Sequence, residues 1–451
     1  MRIKKLAAGL LALGLAAGSL SGCGSSDDSS KVSSAGADGP VTVEFWHSMT
    51  GAVNGPLLNQ LIADYNKTNG KKITVKGVFQ GNYDEAIAKY KAAAQTGSTP
   101  ALMQAYDIGS RFMIDSGTIK PVQDFINAEK YDVSDLQPNI AGYYTIDKKL
   151  YSMPFNTSMP VFYYNKDVFK KAGLDPDKPP TTLAEIRTDA EAIKKAGAAK
   201  YPFTSAIYGW FVEQEIAANG DLYCTPGNGR SGVATKMSFD NPTAVEFLEW
   251  WKKLIDDGLS INNGRDTAQN QTTFSSGASA MMLESTGVLG GFVKTANFNV
   301  GVGTYPKVNA SSSGPIIGGA SLWIGGKGHS SAEQAAAWDF IKYLSSPKVQ
   351  AKWHVATGYF PISKAALKEP EVVSLYKKVP QFKVAVDQLA ATKLSPATQG
   401  CAAGVMPQSR KAVEDALEKV LTTKADAKTT LEAAQKDITS QLGDYNSSVN
   451  Q

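Results

Sequence analysis

Leu20, Ser21, Gly22 and Cys23 close an apolar run of small residues, and this order specifies a covalent reaction. It has the pattern of a bacterial lipobox, with lipid attached to the Cys23 thiol and the chain cleaved before it. The run from residue 6 to residue 20 follows Arg2, Lys4 and Lys5, the layout of a signal peptide, and is too short for a stable membrane span. Two further cysteines, Cys224 and Cys401, form an even pair in an extracytoplasmic compartment. A disulfide and two buried free thiols are both open to them. Elsewhere the residue types of catalysis lack catalytic spacing. His47, His329 and His354 are far apart with no HExxH, so neither a zinc site nor any other metal or cofactor is expected. There is no GxSxG elbow, Walker A loop or GxGxxG fingerprint. Paired carboxylates leave a surface-anchored hydrolase open, because their separation is not encoded in linear order.

Composition narrows the partners. Removing residues 1–22 takes away Arg2, Lys4 and Lys5, which lowers the formal net charge from +4 to +1. No Lys/Arg block follows, so nucleic acid is not an expected partner. Residues 24–40 are rich in Ser, Asp and Gly and read as a flexible tether. Roughly 410 residues remain, enough for two sizeable cores.

The elements that must position any site alternate along the chain. VTVEFWHS at 41–48 reads as a strand, residues 56–68 as a helix, and KKITVKGVF as a second strand. A helix from Asp84 to Thr96 and a strand around Ala101–Tyr106 complete a βαβαβ start. Further helices are predicted over 181–196, 243–257, 330–344, 408–421 and 425–442, with a short helix or turn entering a strand over 274–283. The inventory implies two α/β domains with a cleft between them, and ligand sites in such folds sit at the carboxyl ends of strands.

Residues 154–176, PFNTSMPVFYYNKDVFKKAGLDP, read as one phrase. Asn156, Thr157 and Ser158 form a polar turn between Pro154 and Pro160, Val161–Tyr164 a strand, and a helix capped by Asn165 or Asp167 ends at Gly173. The phrase resembles the strand-hinge-helix signature of family 1 extracellular solute-binding proteins, the ligand receptors of ABC importers. FWHSMTG at 45–51, GNYDEAI at 81–87, QAYDIGS at 104–110 and IKPVQDF at 119–125 extend the likeness. So do GPIIGGASLWI at 314–324, WHVATGYFPISKAA at 353–366 and VMPQSR at 405–410. In that order they are similar to the subgroup that binds sn-glycerol-3-phosphate and glycerophosphodiesters.

The resemblance implies a two-domain type II periplasmic-binding-protein fold, no enzyme activity, and a monomer that delivers a small ligand to a membrane permease. It implies domain I over 41–153 and 305–352, and domain II over 154–304 and 353–451. It implies ligand contacts from Tyr83, Asp107, Ser158, Ser285, Gly319, Tyr359 and Arg410, with Trp210 as an aromatic wall at the glycerol end. A phosphate suits the planar fork of Arg410 with Ser158, Gly319 and Tyr359, and glycerol hydroxyls suit Asp107 with Tyr83 and Ser285 beside it. Asp107 stands where the subgroup has glutamate, which leaves room for water or a bulkier ligand, so an oligosaccharide or polyol stays open. Arg410→Ala is then expected to weaken an anionic ligand and leave the fold intact. On local grounds alone, Arg410 also suits a surface salt bridge, Asp107 a helix cap near Ile108, and Trp210 a loop.

Overall fold

The computed structural model describes residues 39–308 and 313–449. The signal peptide, Cys23 and nearly all of the tether lie outside the described residues. The alternating segment becomes β1 (Val41–His47), with Val43, Phe45 and His47 inward. Helix Asn54–Thr68 buries Leu57, Leu58, Leu61, Ile62 and Tyr65, then β2 (Ile73–Phe79), helix Tyr83–Thr96 and β3 (Leu102–Tyr106) follow. β1 pairs in parallel with both β2 and β3. The short strands β4 (Ile119–Lys120), β5 (Thr145–Ile146) and β6 (Lys149–Leu150) precede β7 (Met153–Ser158).

Beyond β7 the chain enters a second sheet with β8 (Pro160–Asn165) and β9 (Tyr201–Thr204). The pair β10 (Cys224–Thr225) and β11 (Lys236–Met237) stands apart, and β12 (Ser260–Ile261), β13 (Ser279–Ser285) and β14 (Val300–Gly303) complete the second sheet. β15 (Gly318–Gly325) returns to the first sheet, antiparallel to β3, β4 and β7. The first sheet runs β2-β1-β3-β15-β4 with β7 beside β15, and the second runs β12-β9-β13-β8-β14. The chain therefore passes between sheets at Met159 and again between β14 and β15.

Local chemistry sets the helix starts. Asn82 with Glu85, Thr182 with Glu185 and Ser330 with Glu333 each close a reciprocal capping box, and Asn165 caps Lys166–Lys171 through the amides of Asp167 and Val168. Helix Leu183–Lys195 packs near helix Pro242–Asp256, where half-buried Trp250 donates to the Leu183 carbonyl at 2.8 Å. Trp251 and Trp338 are buried in the cores.

Asn156, Thr157 and Ser158 depart from the expected turn. They are the last residues of β7 and are buried, paired with Ala320, Gly319 and Gly318 of β15. Strand pairing satisfies their backbone groups, which removes the advantage that short polar side chains have in a turn. Trp210 also departs from its expected loop: it opens helix Trp210–Ala218 and is buried. That helix is buried on every side, so the surrounding packing overrides the turn-like sequence before it.

Candidate functional site

β3 ends at Tyr106, and Asp107 starts a short 3-10 turn at its carboxyl end. Arg410 lies near the start of helix Met406–Thr422, and Glu213 on helix Trp210–Ala218. These three residues meet although all are only 3–4% exposed. Arg410 Nε donates to Glu213 Oε1 at 2.7 Å and Nη2 to Glu213 Oε2 at 2.9 Å. Nη2 also donates to Asp107 Oδ2 at 2.8 Å, and Nη1 reaches the Tyr208 hydroxyl at 3.2 Å. The rings of Tyr106 and Tyr208 flank the guanidinium, 5.9 and 5.4 Å from its carbon. Burial alone would depress the Arg410 pKa, but Asp107 and Glu213 hold it well above its ordinary value. Burial pushes Glu213 up to about 7 against the pull of Arg410.

A second polar chain runs alongside. The Ser48 amide donates to Gln104 Oε1 at 2.8 Å, Gln104 Nε2 to Asn156 Oδ1 at 2.7 Å, and Asn156 Nδ2 to the Tyr83 hydroxyl at 2.8 Å. Tyr83 stacks on Tyr106 with centroids 5.5 Å apart. The hydroxyls of Tyr83 and Tyr359 interact, and burial raises the pKa of both, so they remain neutral hydrogen-bonding groups. Tyr106 in turn donates to Asp84 Oδ1 at 2.8 Å.

Glycines allow the sheets and rings to approach this closely. Gly319 has φ +93°, and a Cβ there would lie 1.9 Å from the Asn156 carbonyl oxygen. A Cβ on Gly318 would lie 2.6 Å from the Trp210 ring, and one on Gly287 2.5 Å from the Tyr359 ring. Ser158 faces Gly318 across the β7/β15 ladder. Ser285 ends β13, and its hydroxyl accepts from the Gly287 amide at 3.1 Å.

The eight sequence-derived residues therefore lie in one connected set, from Arg410 and Asp107 through Tyr83, Ser158 and Gly319 to Trp210, Tyr359 and Ser285, with Asn156 as a link between Tyr83 and Gly319. Their partners differ from the expectation. The resemblance implies opposite ends of a ligand for Asp107 and Arg410, yet they bond to each other, because two buried opposite charges are stable only when paired. The Ser285 hydroxyl accepts from the Gly287 amide and keeps its O–H for donation. Neither a surface bridge for Arg410 nor a capping role for the Asp107 side chain is seen. Sequence reasoning missed Glu213, Tyr208 and Gln104. The signal for Glu213 was Glu-Gln-Glu inside an otherwise apolar helix, WFVEQEIAA.

Glu215, two residues further on, makes a separate prediction. Burial raises its pKa to about 8, with the Tyr305 hydroxyl and Val308 backbone opposing. A carboxyl with a raised folded pKa contributes stability that is complete below its unfolded value near 4.5 and is lost as pH rises through about 8. Glu215→Gln should remove that slope, worth on the order of 2–4 kcal/mol between pH 5 and pH 9. Urea unfolding at both pH values checks it, and an unchanged slope would rule it out.

Among the described residues, no group of three or more His, Cys, Asp or Glu side chains could hold a metal ion, and no helix is long and apolar enough to cross a membrane.

Comparison with known proteins adds sequence and structural likeness. The family profile described as bacterial extracellular solute-binding protein matches residues 60–384. The sn-glycerol-3-phosphate-binding periplasmic protein UgpB of Pectobacterium atrosepticum is 36% identical over 409 residues, covering 89% of this chain and 91% of that protein. UgpB of Escherichia coli O6:K15:H31 is 35% identical over 408 residues, covering 89% and 92%. Among solved structures, UgpB from Mycobacterium tuberculosis in complex with glycerophosphocholine has a TM-score of 0.77 at 24% identity, covering 91% of this chain and 99% of that one. The GacH receptor of Streptomyces glaucescens has a TM-score of 0.75 at 23% identity, covering 90% and 99%.

Proposed function

Because this chain belongs to the bacterial extracellular solute-binding protein family and has its two-domain type II fold, we propose that it is the lipid-anchored receptor of an ABC importer for sn-glycerol-3-phosphate or a glycerophosphodiester. Members of this family bind solutes and do not transform them. The observation that supports the ligand assignment is the buried Arg410 guanidinium, flanked by the Tyr106 and Tyr208 rings, with its Nη end at the Tyr208 hydroxyl and Asp107. Neutral hydroxyls and a guanidinium suit a phosphate ester better than an uncharged sugar. The named function of the 35–36% identical relatives agrees with this reading.

In this account Cys23 holds the protein at the bacterial cell membrane through its lipid, and residues 23–40 tether the body. Domain I comprises 41–153 and 305–352, and domain II 154–304 and 353–451. That division is supported by the first sheet drawing on β1–β4 and β15, and the second on β8, β9 and β12–β14, while β7 (Met153–Ser158), which pairs with β15, runs past the border at residue 154 and moves that crossing to Met159. A ligand touching both domains favours their closed arrangement by its differential affinity, and the closed monomer delivers it to the permease. An oligosaccharide or polyol receptor is the second reading, favoured by the aromatic surfaces of Trp210 and Tyr208.

Calorimetric titration of protein lacking residues 1–23 with glycerol-3-phosphate, glycerophosphocholine and maltose tests the assignment. Micromolar affinity, about −8 kcal/mol, for either phosphate compound without its breakdown is expected. Heat with maltose alone would transfer the assignment to the sugar reading.

A further inference from the structure

Arg410 is held on one edge by its own protein, while its Nη1 contact with Asp107 Oδ1 stretches to 3.5 Å. Its Nε and Nη2 hydrogens form a two-point fork with Glu213, and its Nη end meets Asp107 and Tyr208. The two carboxylates come from opposite sides of the cleft. Asp107 follows β3 of the first sheet, whereas Glu213 and Arg410 sit on helices that pack with helix Pro242–Asp256 of the other side. One guanidinium thus faces two carboxyl groups, with the partly buried Glu414 close behind, where its carboxylate accepts from the Gly209 amide at 3.1 Å. With both carboxylates ionised the formal charge of Arg410, Asp107 and Glu213 is −1, and with one of them protonated it is zero. An anion can reach this guanidinium only by sharing its Nη end with Asp107, and a second negative charge on that anion meets carboxylates at low dielectric.

We propose that Glu213 is a positioning and charge-setting residue: by occupying the Nε–Nη2 edge of Arg410 it turns the Nη end toward Asp107, and it makes the cleft select monoanionic phosphodiesters over dianionic phosphate monoesters. The inference rests on reading the cleft as a glycerophosphate-ligand site. A monoester phosphate carries between one and a half and two charges at neutral pH, with a second ionisation near pH 6, whereas a diester carries one.

The test is titration calorimetry of the wild type, Glu213→Gln and Asp107→Asn at pH 7.5, with glycerol-3-phosphate and glycerophosphoglycerol as probes. The second probe is a diester with an uncharged far end, which isolates the phosphate charge. Wild type should bind the diester about tenfold more tightly or better. Glu213→Gln keeps the side-chain size and should narrow that preference by about tenfold, mainly through tighter glycerol-3-phosphate binding. Equal weakening of both ligands would reduce Glu213 to a packing role and overturn the proposal. If Glu213→Gln does not fold, as judged by its melting curve, Asp107→Asn carries the decision: removing the other carboxylate must also narrow the preference, and an unchanged ratio overturns the charge argument. Heat with neither probe in the wild type would defeat the glycerophosphate reading itself, and this inference with it. Heat with both probes but no preference would defeat this inference alone.

Discussion

Arg410→Ala should lose about 3–5 kcal/mol of folding stability at pH 8, in addition to most of its affinity for an anionic ligand. Motif reasoning expects a purely functional residue whose loss leaves the fold intact. The structure instead buries Arg410 at 3% exposure between Asp107 and Glu213, so its removal strands two carboxylates away from water. Such groups escape the penalty by taking protons. Glu213 already lies near pH 7 with Arg410 present, and without the guanidinium its pKa moves higher. The variant should therefore be least compromised near pH 5 and progressively weaker toward pH 8. Urea midpoints at the two pH values, measured against the wild type, check both the sign and the size. A midpoint that does not move at either pH would mean that the three groups are not locked together in solution. Binding has to be measured at the lower pH, where enough of the variant is folded for loss of affinity to be separated from loss of structure.

The fold was largely legible in the sequence because periodic burial and capping are local signals. Leu57, Leu61 and Tyr65 recur at helical spacing, and Ser330 with Glu333 marks a helix start that the structure places at Ser331. The site was legible in a different way. Resemblance brought Tyr83, Gly319 and Arg410 to attention, but it carries no information about which side chain meets which. Arg410 and Asp107 are 303 positions apart in the chain, and Glu213 lies between them on a helix whose burial on all sides reverses the usual expectation for an acidic residue. Asn156 was misread for the same reason. Its type suits a turn, and only the arrival of β15 and Tyr83 from distant parts of the chain makes it a buried strand residue with two hydrogen-bonded neighbours. Pairings made by tertiary approach have no local signature.

The pairing of Cys224 with Cys401, left open by the sequence, is present, with Cα atoms 5.7 Å apart and 177 positions between them. A closed loop of that length should restrict the unfolded chain by about 5 kcal/mol in the chain-entropy account, and removal of native disulfides costs about 2–5 kcal/mol. The double substitution Cys224→Ser with Cys401→Ser should fall in that range, read as a shift in the urea midpoint. Its effect should also reach the site. Cys401 begins the segment that leads into helix Met406–Thr422, and the Ala402 amide is held by the Asn228 carbonyl at 2.9 Å. Asn228 Oδ1 accepts from the amides of Tyr223 and Cys224, while Arg230 donates to the Gly400 carbonyl at 3.1 Å and the Tyr143 carbonyl at 2.7 Å. These bonds fasten the same segment without the sulfur bridge. The double variant should therefore lose much of its stability but keep Arg410 within reach of Glu213, with ligand affinity reduced far less than in Arg410→Ala. Equal loss of affinity in the two variants would mean that the disulfide, rather than the ion cluster, holds the guanidinium in place.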